Sequence, residues 1–90
     1  MTQKQWILYI LSCKDGTLYT GITDNLERRL AAHQAGKGAK YTRGRGPFVL
    51  RYTELCEDHS HALRRELAVK SLSRQEKLNL CTGYILDEEL

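Results

Sequence analysis

The sequence lacks the features that mark several common protein classes. Its longest uncharged apolar run, residues 6–11, is far shorter than the roughly 20 residues of a membrane-spanning helix. The N-terminal residues show neither the apolar stretch nor the cleavage site of a signal peptide. The three cysteines are odd in number and form no CxxC pair, which argues against a disulfide framework or a zinc site. We therefore expect a soluble protein of the reducing cytoplasm, with no membrane partner.

Length and composition limit the architecture. Ninety residues leave room for one domain, because a chain of this size buries only about 60–65% of its unfolded surface. With 41% apolar residues and a single proline, the composition is that of a folded domain and not of a disordered chain.

Acidic residues are missing from residues 28–53, although the net charge of the chain is only +3. This stretch also contains four glycines and carries Tyr41 and Thr42. A basic run can simply be a solvated face. However, backbone amides, arginine forks and hydroxyls are the groups that contact phosphate backbones, so nucleic acid is the favoured partner. The seven bases of the run are Arg28, Arg29, Lys37, Lys40, Arg43, Arg45 and Arg51.

Three strands are predicted. Residues 6–11 and 17–22 are rich in β-branched and aromatic side chains and are joined by Lys14-Asp15-Gly16, a hairpin turn signal. Residues 48–55 form the third strand. The chain should therefore contain one small antiparallel sheet.

The first helix is predicted from about residue 25 to residue 35. Asp24 lies three residues before Glu27, which is the spacing of a capping box, and Gly36 is a suitable terminator. Arg29 and His33 are then i,i+4 neighbours on one helix face.

Two further helices are predicted after the third strand. Residues 62–72 form a helical segment in which Leu63 and Leu67 should face inward. Ser73 and Glu76 form a second capping box, which should begin a short helix that ends at Leu80. The order β-β-α-β-α-α predicts an α+β domain, a three-stranded antiparallel sheet with flanking helices.

Several polar residues fall at spacings that invite two interpretations. Tyr9 and Tyr19, on consecutive hairpin strands, can project from the same face, although tyrosines also simply suit strands. Glu66 is an ordinary i,i+4 partner of Lys70. Each signal is weak alone, and their joint arrangement is informative.

Read together, these segments resemble the GIY-YIG nuclease superfamily. The resemblance covers residues 6–80, and residues 36–47 are similar to the small single-domain bacterial branch of the superfamily. The segments that carry it are Ile7-Leu8-Tyr9, Tyr19-Thr20-Gly21, Asn25-Leu26-Glu27-Arg28-Arg29-Leu30, His33 and Arg64-Arg65-Glu66. The departures are Ile7, Leu8 and Thr20, which occupy positions that shape strand packing.

The resemblance implies a set of site residues. By position, Tyr9 matches the tyrosine of the first motif, and Tyr19 and Gly21 match the tyrosine and glycine of the second. Arg29 and His33 match the arginine and histidine of the first helix. Glu66 matches the metal-binding glutamate, and Asn79 corresponds loosely to a downstream asparagine. The resemblance also implies an endonuclease-like domain over residues 5–81, followed by a tail over residues 82–90.

The implied activity is hydrolysis of phosphodiester bonds in DNA with low sequence specificity, in DNA repair or processing. A single Mg²⁺ or Mn²⁺ is expected at Glu66, because a two-metal site needs several carboxylates. Arg29 should clamp the phosphate through its planar fork. Either Tyr9, with its pKa lowered by Arg29 and by the basic loop of residues 36–47, or His33 is the general base, and Tyr19 orients water or phosphate. A covalent tyrosyl-phosphate is a third possibility.

The expected nucleic-acid contacts come mainly from the glycine-rich basic stretch. A non-catalytic nucleic-acid-binding module that keeps the same fold is the alternative function, and a monomer is the expected state. The residues expected to contact nucleic acid are Gly21, Lys37, Lys40, Tyr41, Thr42, Arg43 and Arg45.

Overall fold

The computed structural model describes the backbone of residues 5–89 and the side chains of residues 5–82. It contains three strands and three α-helices in the predicted order β-β-α-β-α-α. The strands form one antiparallel sheet in which β1 lies between β2 and β3, as expected for the predicted α+β class. The elements are β1 (Trp6–Ser12), β2 (Leu18–Thr23), α1 (Leu26–Gln34), β3 (Val49–Cys56), α2 (His59–Lys70) and α3 (Arg74–Glu89).

The central strand β1 sends alternate side chains into two separate cores, because successive residues of a strand point to opposite faces. Leu8 and Ile10 are fully buried in one core, together with residues of α2 and α3. Tyr9 and Leu11 are fully buried in the other, against which the leucines of α1 pack. The sheet is therefore covered on both faces, and Tyr9 lies beneath α1.

Helix α1 begins one residue later than the capping-box spacing predicts. The side chain of Asn25, not that of Asp24, accepts a hydrogen bond from the backbone N–H of Arg28, so Asn25 is the N-cap. An Asn oxygen satisfies a free first-turn amide as well as an Asp oxygen does, and the sequence alone did not distinguish the two. The predicted terminator is confirmed, because Gly36 follows the helix with a φ of +76°.

The prediction that Leu63 and Leu67 face inward is wrong. Their side chains are 43% and 71% exposed, whereas Ala62 and Val69 are fully buried against the sheet. Positions seven residues apart also share a helix face, and the smaller residues Ala62 and Val69 allow α2 to approach the strands closely.

The capping box at the start of α3 is confirmed, but the helix is longer than predicted. The backbone N–H of Ser73 donates to the Glu76 carboxylate, and the backbone N–H of Glu76 donates to the Ser73 hydroxyl. The helix continues beyond Leu80 to Glu89 and so crosses the boundary between residues 81 and 82. The side chains of the acidic tail lie outside the described residues, and the division into domain and tail stays a prediction. No described helix is long and apolar enough to span a bilayer.

Candidate active site

Tyr9 and His33 meet beneath α1. Tyr9 lies on the central strand with no exposed surface, and His33, near the end of α1, is 1% exposed. The Tyr9 hydroxyl lies 2.9 Å from Nε2 of His33. The pairing joins two residues that the sequence analysis treated as competing bases.

The hydrogen bonds beyond His33 fix which ring nitrogen carries the proton. The Thr42 hydroxyl donates to the carbonyl oxygen of Ala39 at 2.9 Å, and it lies 2.8 Å from Nδ1 of His33. Because a carbonyl oxygen can only accept, the single Thr42 hydrogen is already used, and Nδ1 must donate to the Thr42 oxygen. Nε2 of a neutral His33 is then an acceptor, and it receives the proton of Tyr9. All three bonds therefore run in one direction, from Tyr9 through His33 and Thr42 to Ala39.

Arg29 approaches the same tyrosine from one turn earlier on α1. Its Nε donates to the Tyr9 hydroxyl at 3.4 Å, and its guanidinium also interacts electrostatically with the side chain of Tyr19. The hydrogen bond to Tyr9 raises the pKa of Arg29, so the guanidinium keeps its charge. The i,i+4 relation of Arg29 to His33 therefore lets both side chains reach the Tyr9 hydroxyl.

Burial decides the protonation of the pair. Burial raises the pKa of Tyr9 above its usual value, and the hydrogen bond from Arg29 opposes this without reversing it. Burial and, to a smaller extent, the charge of Arg29 lower the pKa of His33. Arg29 lowers the pKa of Tyr9 as expected, but the net shift is upward because desolvation is the larger effect. The proton stays on Tyr9 and the imidazole stays neutral.

Gly21 makes room for the two tyrosines. It pairs with Tyr9 across the β1–β2 ladder, and a Cβ at this position would lie 2.7 Å from the Tyr9 hydroxyl and 3.0 Å from the Tyr19 ring. Real contacts of this kind are not tolerated, so the site requires glycine here. Gly21 is buried, and its position in the structure is that of a spacer rather than of the expected nucleic-acid contact.

Two residues that support His33 were not identified from the sequence. The backbone of Gly38 passes over the imidazole, and a Cβ there would lie 2.2 Å from Nδ1. Gln34 fixes the far end of the loop, since its amide donates to the carbonyl of Phe48 and accepts from the Phe48 N–H, at 3.1 and 3.3 Å. The glycines of the loop were a visible signal, but the sequence did not show which of them lies against a side chain.

Aromatic side chains extend the site towards the surface. The ring of Tyr41, which is 45% exposed, stacks on that of Tyr19 with 5.9 Å between centroids and 24° between planes. The Arg45 guanidinium lies 4.6 Å from the centre of the Tyr41 ring and also forms an ion pair with Asp15. The charge of Arg45 is therefore partly compensated within the domain.

The remaining residues of the basic loop divide into exposed and buried groups. Lys37, Lys40 and Arg43 are exposed and form no ion pair among residues 5–82, so their charges are available to a polyanion. Thr42 is 1% exposed and its hydroxyl is occupied by His33 and Ala39. Thr42 therefore supports the histidine and is not the surface contact that its place in the loop suggested.

Glu66 lies on α2, near enough to Tyr9 for its charge to raise the pKa of that tyrosine. Its carboxylate also pairs with Lys70 at 3.3 Å, so the ordinary i,i+4 contact is present as well. No cluster of three metal-ligating side chains occurs among the described residues. One hard oxygen ligand fits an ion such as Mg²⁺, which keeps several waters and takes further ligands from a substrate phosphate. Asn79 bonds to Gln75 within α3.

Comparison with known proteins finds a family match over most of the chain and several relatives. The family model described as the GIY-YIG catalytic domain matches residues 5–79, which is most of the chain. The chain is 55% identical to the UPF0213 protein SH2523 of Staphylococcus haemolyticus, over 81% of this chain and 89% of that protein. It is 50% identical to the UPF0213 protein plu4503 of Photorhabdus laumondii, over 100% of this chain and 88% of that protein.

Two solved structures share the fold. The solution NMR structure of the UPF0213 protein BH0048 from Bacillus halodurans is 50% identical, with a TM-score of 0.57, over 87% of this chain and 83% of that one. That of the protein EF2693 from E. faecalis is 39% identical, with a TM-score of 0.64, over 94% of this chain and 91% of that one.

Proposed function

Because this chain belongs to the GIY-YIG catalytic domain family, we propose that it is a metal-dependent endonuclease that hydrolyses DNA phosphodiester bonds with low sequence specificity. The proposal places it in DNA repair or processing, acting as a monomer. The observation that carries it is the one-directional hydrogen-bond chain from Tyr9 through His33 to Thr42. A buried phenol aimed at a neutral imidazole is a means of moving a proton, and hydrolysis by water needs one.

In this mechanism Tyr9 contacts the attacking water and His33 is the proton's destination. Tyr9 takes a proton from water as its own proton passes to Nε2 of His33. The water oxygen bonds to phosphorus and the leaving oxygen departs with the bonding electron pair. Both ring nitrogens of His33 are engaged, Nε2 by Tyr9 and Nδ1 by Thr42, which supports a route through Tyr9 rather than direct contact of His33 with water.

The cost of the transfer explains why it must be coupled to attack. Moving a proton from a phenol of pKa about 10 to an imidazole of pKa about 6.5 costs about 5 kcal/mol. Burial shifts the pKa values of Tyr9 and His33 further apart, so a free phenolate does not accumulate. The Tyr9 proton moves to His33 only as the water oxygen bonds to phosphorus. At that point the water becomes acidic and gives its proton to Tyr9.

Arg29 connects this proton chain to the substrate. Its long 3.4 Å hydrogen bond to Tyr9 is weak, and a phosphate oxygen is a stronger partner for a guanidinium. Engagement of the phosphate therefore draws Arg29 from the Tyr9 hydroxyl and opens it to water. Glu66 is the carboxylate that would hold Mg²⁺ or Mn²⁺, and the ion, when bound, would neutralise charge on the phosphate.

The experiment is nicking of supercoiled plasmid with Mg²⁺ or Mn²⁺ by the purified protein, by Glu66→Ala and by Glu57→Ala. Glu57 is an exposed carboxylate outside the site and provides the matched control. We expect the wild type and Glu57→Ala to cleave, and both Glu66→Ala and chelator to abolish cleavage. Cleavage that persists in Glu66→Ala would identify a contaminating nuclease or a wrong metal ligand.

The second candidate is a nucleic-acid-binding module without catalysis. The ion pair between Glu66 and Lys70 favours it, because an occupied carboxylate is a poorer metal ligand. This function predicts duplex binding by the wild type with no nicking under any metal condition, and Glu66→Ala should then bind as the wild type does.

A further inference from the structure

A second basic surface lies beside β2 and borders the basic loop at Tyr41. Lys70, at the end of α2, and Lys77, on α3, line a hollow of about 300 Å³ together with Tyr19, Thr20 and Tyr41. An adjoining smaller hollow is lined by Lys77, Arg74, Thr17 and Leu18. The two hollows share Leu18 and Lys77 and therefore form one continuous basic strip along the edge strand.

One residue that lines the larger hollow has a polar group without a partner. Thr20 is 4% exposed, and its hydroxyl oxygen is buried without a hydrogen-bond partner among the described residues. A buried hydroxyl without a partner costs free energy, so such a group in a basic hollow is well suited to a ligand that accepts a hydrogen bond. Two amines and one hydroxyl are together the donor set that binds a phosphate oxygen.

The charges of the strip are available. Arg74 and Lys77 form no ion pair among residues 5–82, and Lys70, although paired with Glu66, has half of its side chain exposed. Tyr19 and Tyr41 stack on each other and line this hollow, and Tyr19 also interacts with Arg29 of the candidate active site. The two rings therefore connect the hollow with the candidate active site.

We propose that the hollow binds a backbone phosphate of the nucleic acid adjacent to the cleaved one, held by Lys70, Lys77 and the Thr20 hydroxyl. Arg74 contacts the phosphate beyond it. The inference rests on the proposed function for the identity of the ligand. It gives the substrate a path from the basic loop, across the two stacked tyrosines, to the start of α3.

The test measures duplex binding at several salt concentrations in EDTA, so that cleavage does not consume the probe. The variants are Lys77→Ala, Arg74→Ala and Thr20→Val, with Arg64→Ala as the matched control. Arg64 is exposed on α2 and, at 100° per residue, lies on the side of the helix opposite Glu66 and Lys70.

We expect Lys77→Ala and Arg74→Ala each to reduce the slope of log affinity against log salt by about 0.9, which corresponds to one lost phosphate contact. Arg64→Ala should leave the slope unchanged. Thr20→Val should weaken binding about tenfold at an unchanged slope, because a neutral hydrogen bond is lost. The thermal unfolding midpoint of Thr20→Val should not fall, because the Thr20 hydroxyl has no internal hydrogen bond to lose. An unchanged midpoint shows that weaker binding is not caused by misfolding.

Equal slopes for Lys77→Ala, Arg74→Ala and Arg64→Ala would overturn the inference, even if the wild type nicks plasmid and the proposed function stands. If the slopes fall but the wild type does not nick plasmid, the phosphate site is supported and the proposed nuclease function fails. The last experiment follows the backbone amide NMR signal of Thr20 while inorganic phosphate or duplex is added. If phosphate shifts this signal to saturation and duplex does not shift it, the hollow binds a free anion and the proposal fails.

Discussion

The Tyr9 hydroxyl donates to Nε2 of His33 at 2.9 Å, across 24 residues of sequence and between a strand and a helix. In the proposed mechanism the two side chains act as one proton-transfer unit. Tyr9 contacts the water in that mechanism and passes its own proton to His33, because the raised pKa of Tyr9 keeps a free phenolate from accumulating.

Thr42→Val removes the acceptor of the Nδ1 proton. We expect nicking about tenfold slower, and stability lower by about 1 kcal/mol, because Nδ1–H is left buried without a partner. The distinguishing readout is ¹⁵N NMR of His33: the wild type should show Nδ1 protonated and Nε2 unprotonated, and the variant should show a mixture of tautomers. Thr82→Val, whose hydroxyl bonds to Leu78 within the exposed surface of α3, is the control. An unaltered tautomer in Thr42→Val would contradict the assignment.

Stability should fall as the pH drops below about 6.5, the usual pKa of histidine. The folded pKa of His33 is lowered, so in this range the unfolded chain binds the proton and the folded protein does not. Unfolded protein is then favoured progressively until the pH reaches the folded pKa. The carboxylates of Glu54 and Glu76 have lowered pKa values and titrate only below about pH 4.5, outside the range of His33.

The measurement is urea unfolding of the wild type and of His33→Gln at pH 7.5 and 5.5. The wild type should lose stability between the two, and His33→Gln should lose less, since the titrating group is gone. An equal loss in both proteins would show that His33 is not the group responsible.

Substitutions at two glycines should disrupt the site through close contacts. Gly38→Ala places a methyl 2.2 Å from Nδ1 of His33, and Gly21→Ala places one 2.7 Å from the Tyr9 hydroxyl. We expect each substitution to destabilise the protein by about 1–3 kcal/mol and to abolish nicking, because the His33 ring or the Tyr9 ring must move away from the added methyl group. Gly46→Ala meets only the edge of the Phe48 ring at 3.3 Å and is the milder control. Wild-type activity in Gly38→Ala would contradict the observed placement of the loop.

Arg65 joins α2 to β3 on the other face of the sheet. Its guanidinium pairs with the Glu54 carboxylate through two nitrogens, and the same carboxylate accepts a hydrogen bond from the Tyr52 hydroxyl. Burial and, to a smaller extent, the contact with Glu54 raise the pKa of Tyr52 to about 12. Arg65→Met should cost about 1–2 kcal/mol, because a partly buried carboxylate loses its charged partner. Arg64→Met, at the exposed neighbouring position, should cost under about 0.5 kcal/mol. Thermal unfolding at pH 7 compares the two variants. Equal unfolding midpoints would show that the Arg65–Glu54 pair does not stabilise the protein.

The sequence predicted those features that depend on local spacing. The i,i+4 relation of Arg29 to His33 and the hairpin that brings Tyr19 near Tyr9 both follow from helix and strand periods. The burial of Thr42 does not, because a hydroxyl in a basic, glycine-rich loop has no periodicity to show its direction.

The interior of α2 shows the same limit in a helix. Leu63 and Leu67 and the pair Ala62 and Val69 both form helical stripes, about 100° apart. Which stripe faces inward depends on how closely the helix approaches the sheet, and close approach selects the smaller residues. That distance is a tertiary property, absent from the local pattern.

The most direct test of the account is the rate at which Tyr9→Phe nicks supercoiled plasmid with Mg²⁺ at pH 7.5, relative to the wild type. Phenylalanine keeps the buried ring and removes only the hydroxyl that donates to His33. The account predicts a wild type that nicks and a folded Tyr9→Phe that is slower by about 10²–10⁴-fold. A folded Tyr9→Phe that nicks at the wild-type rate would contradict it.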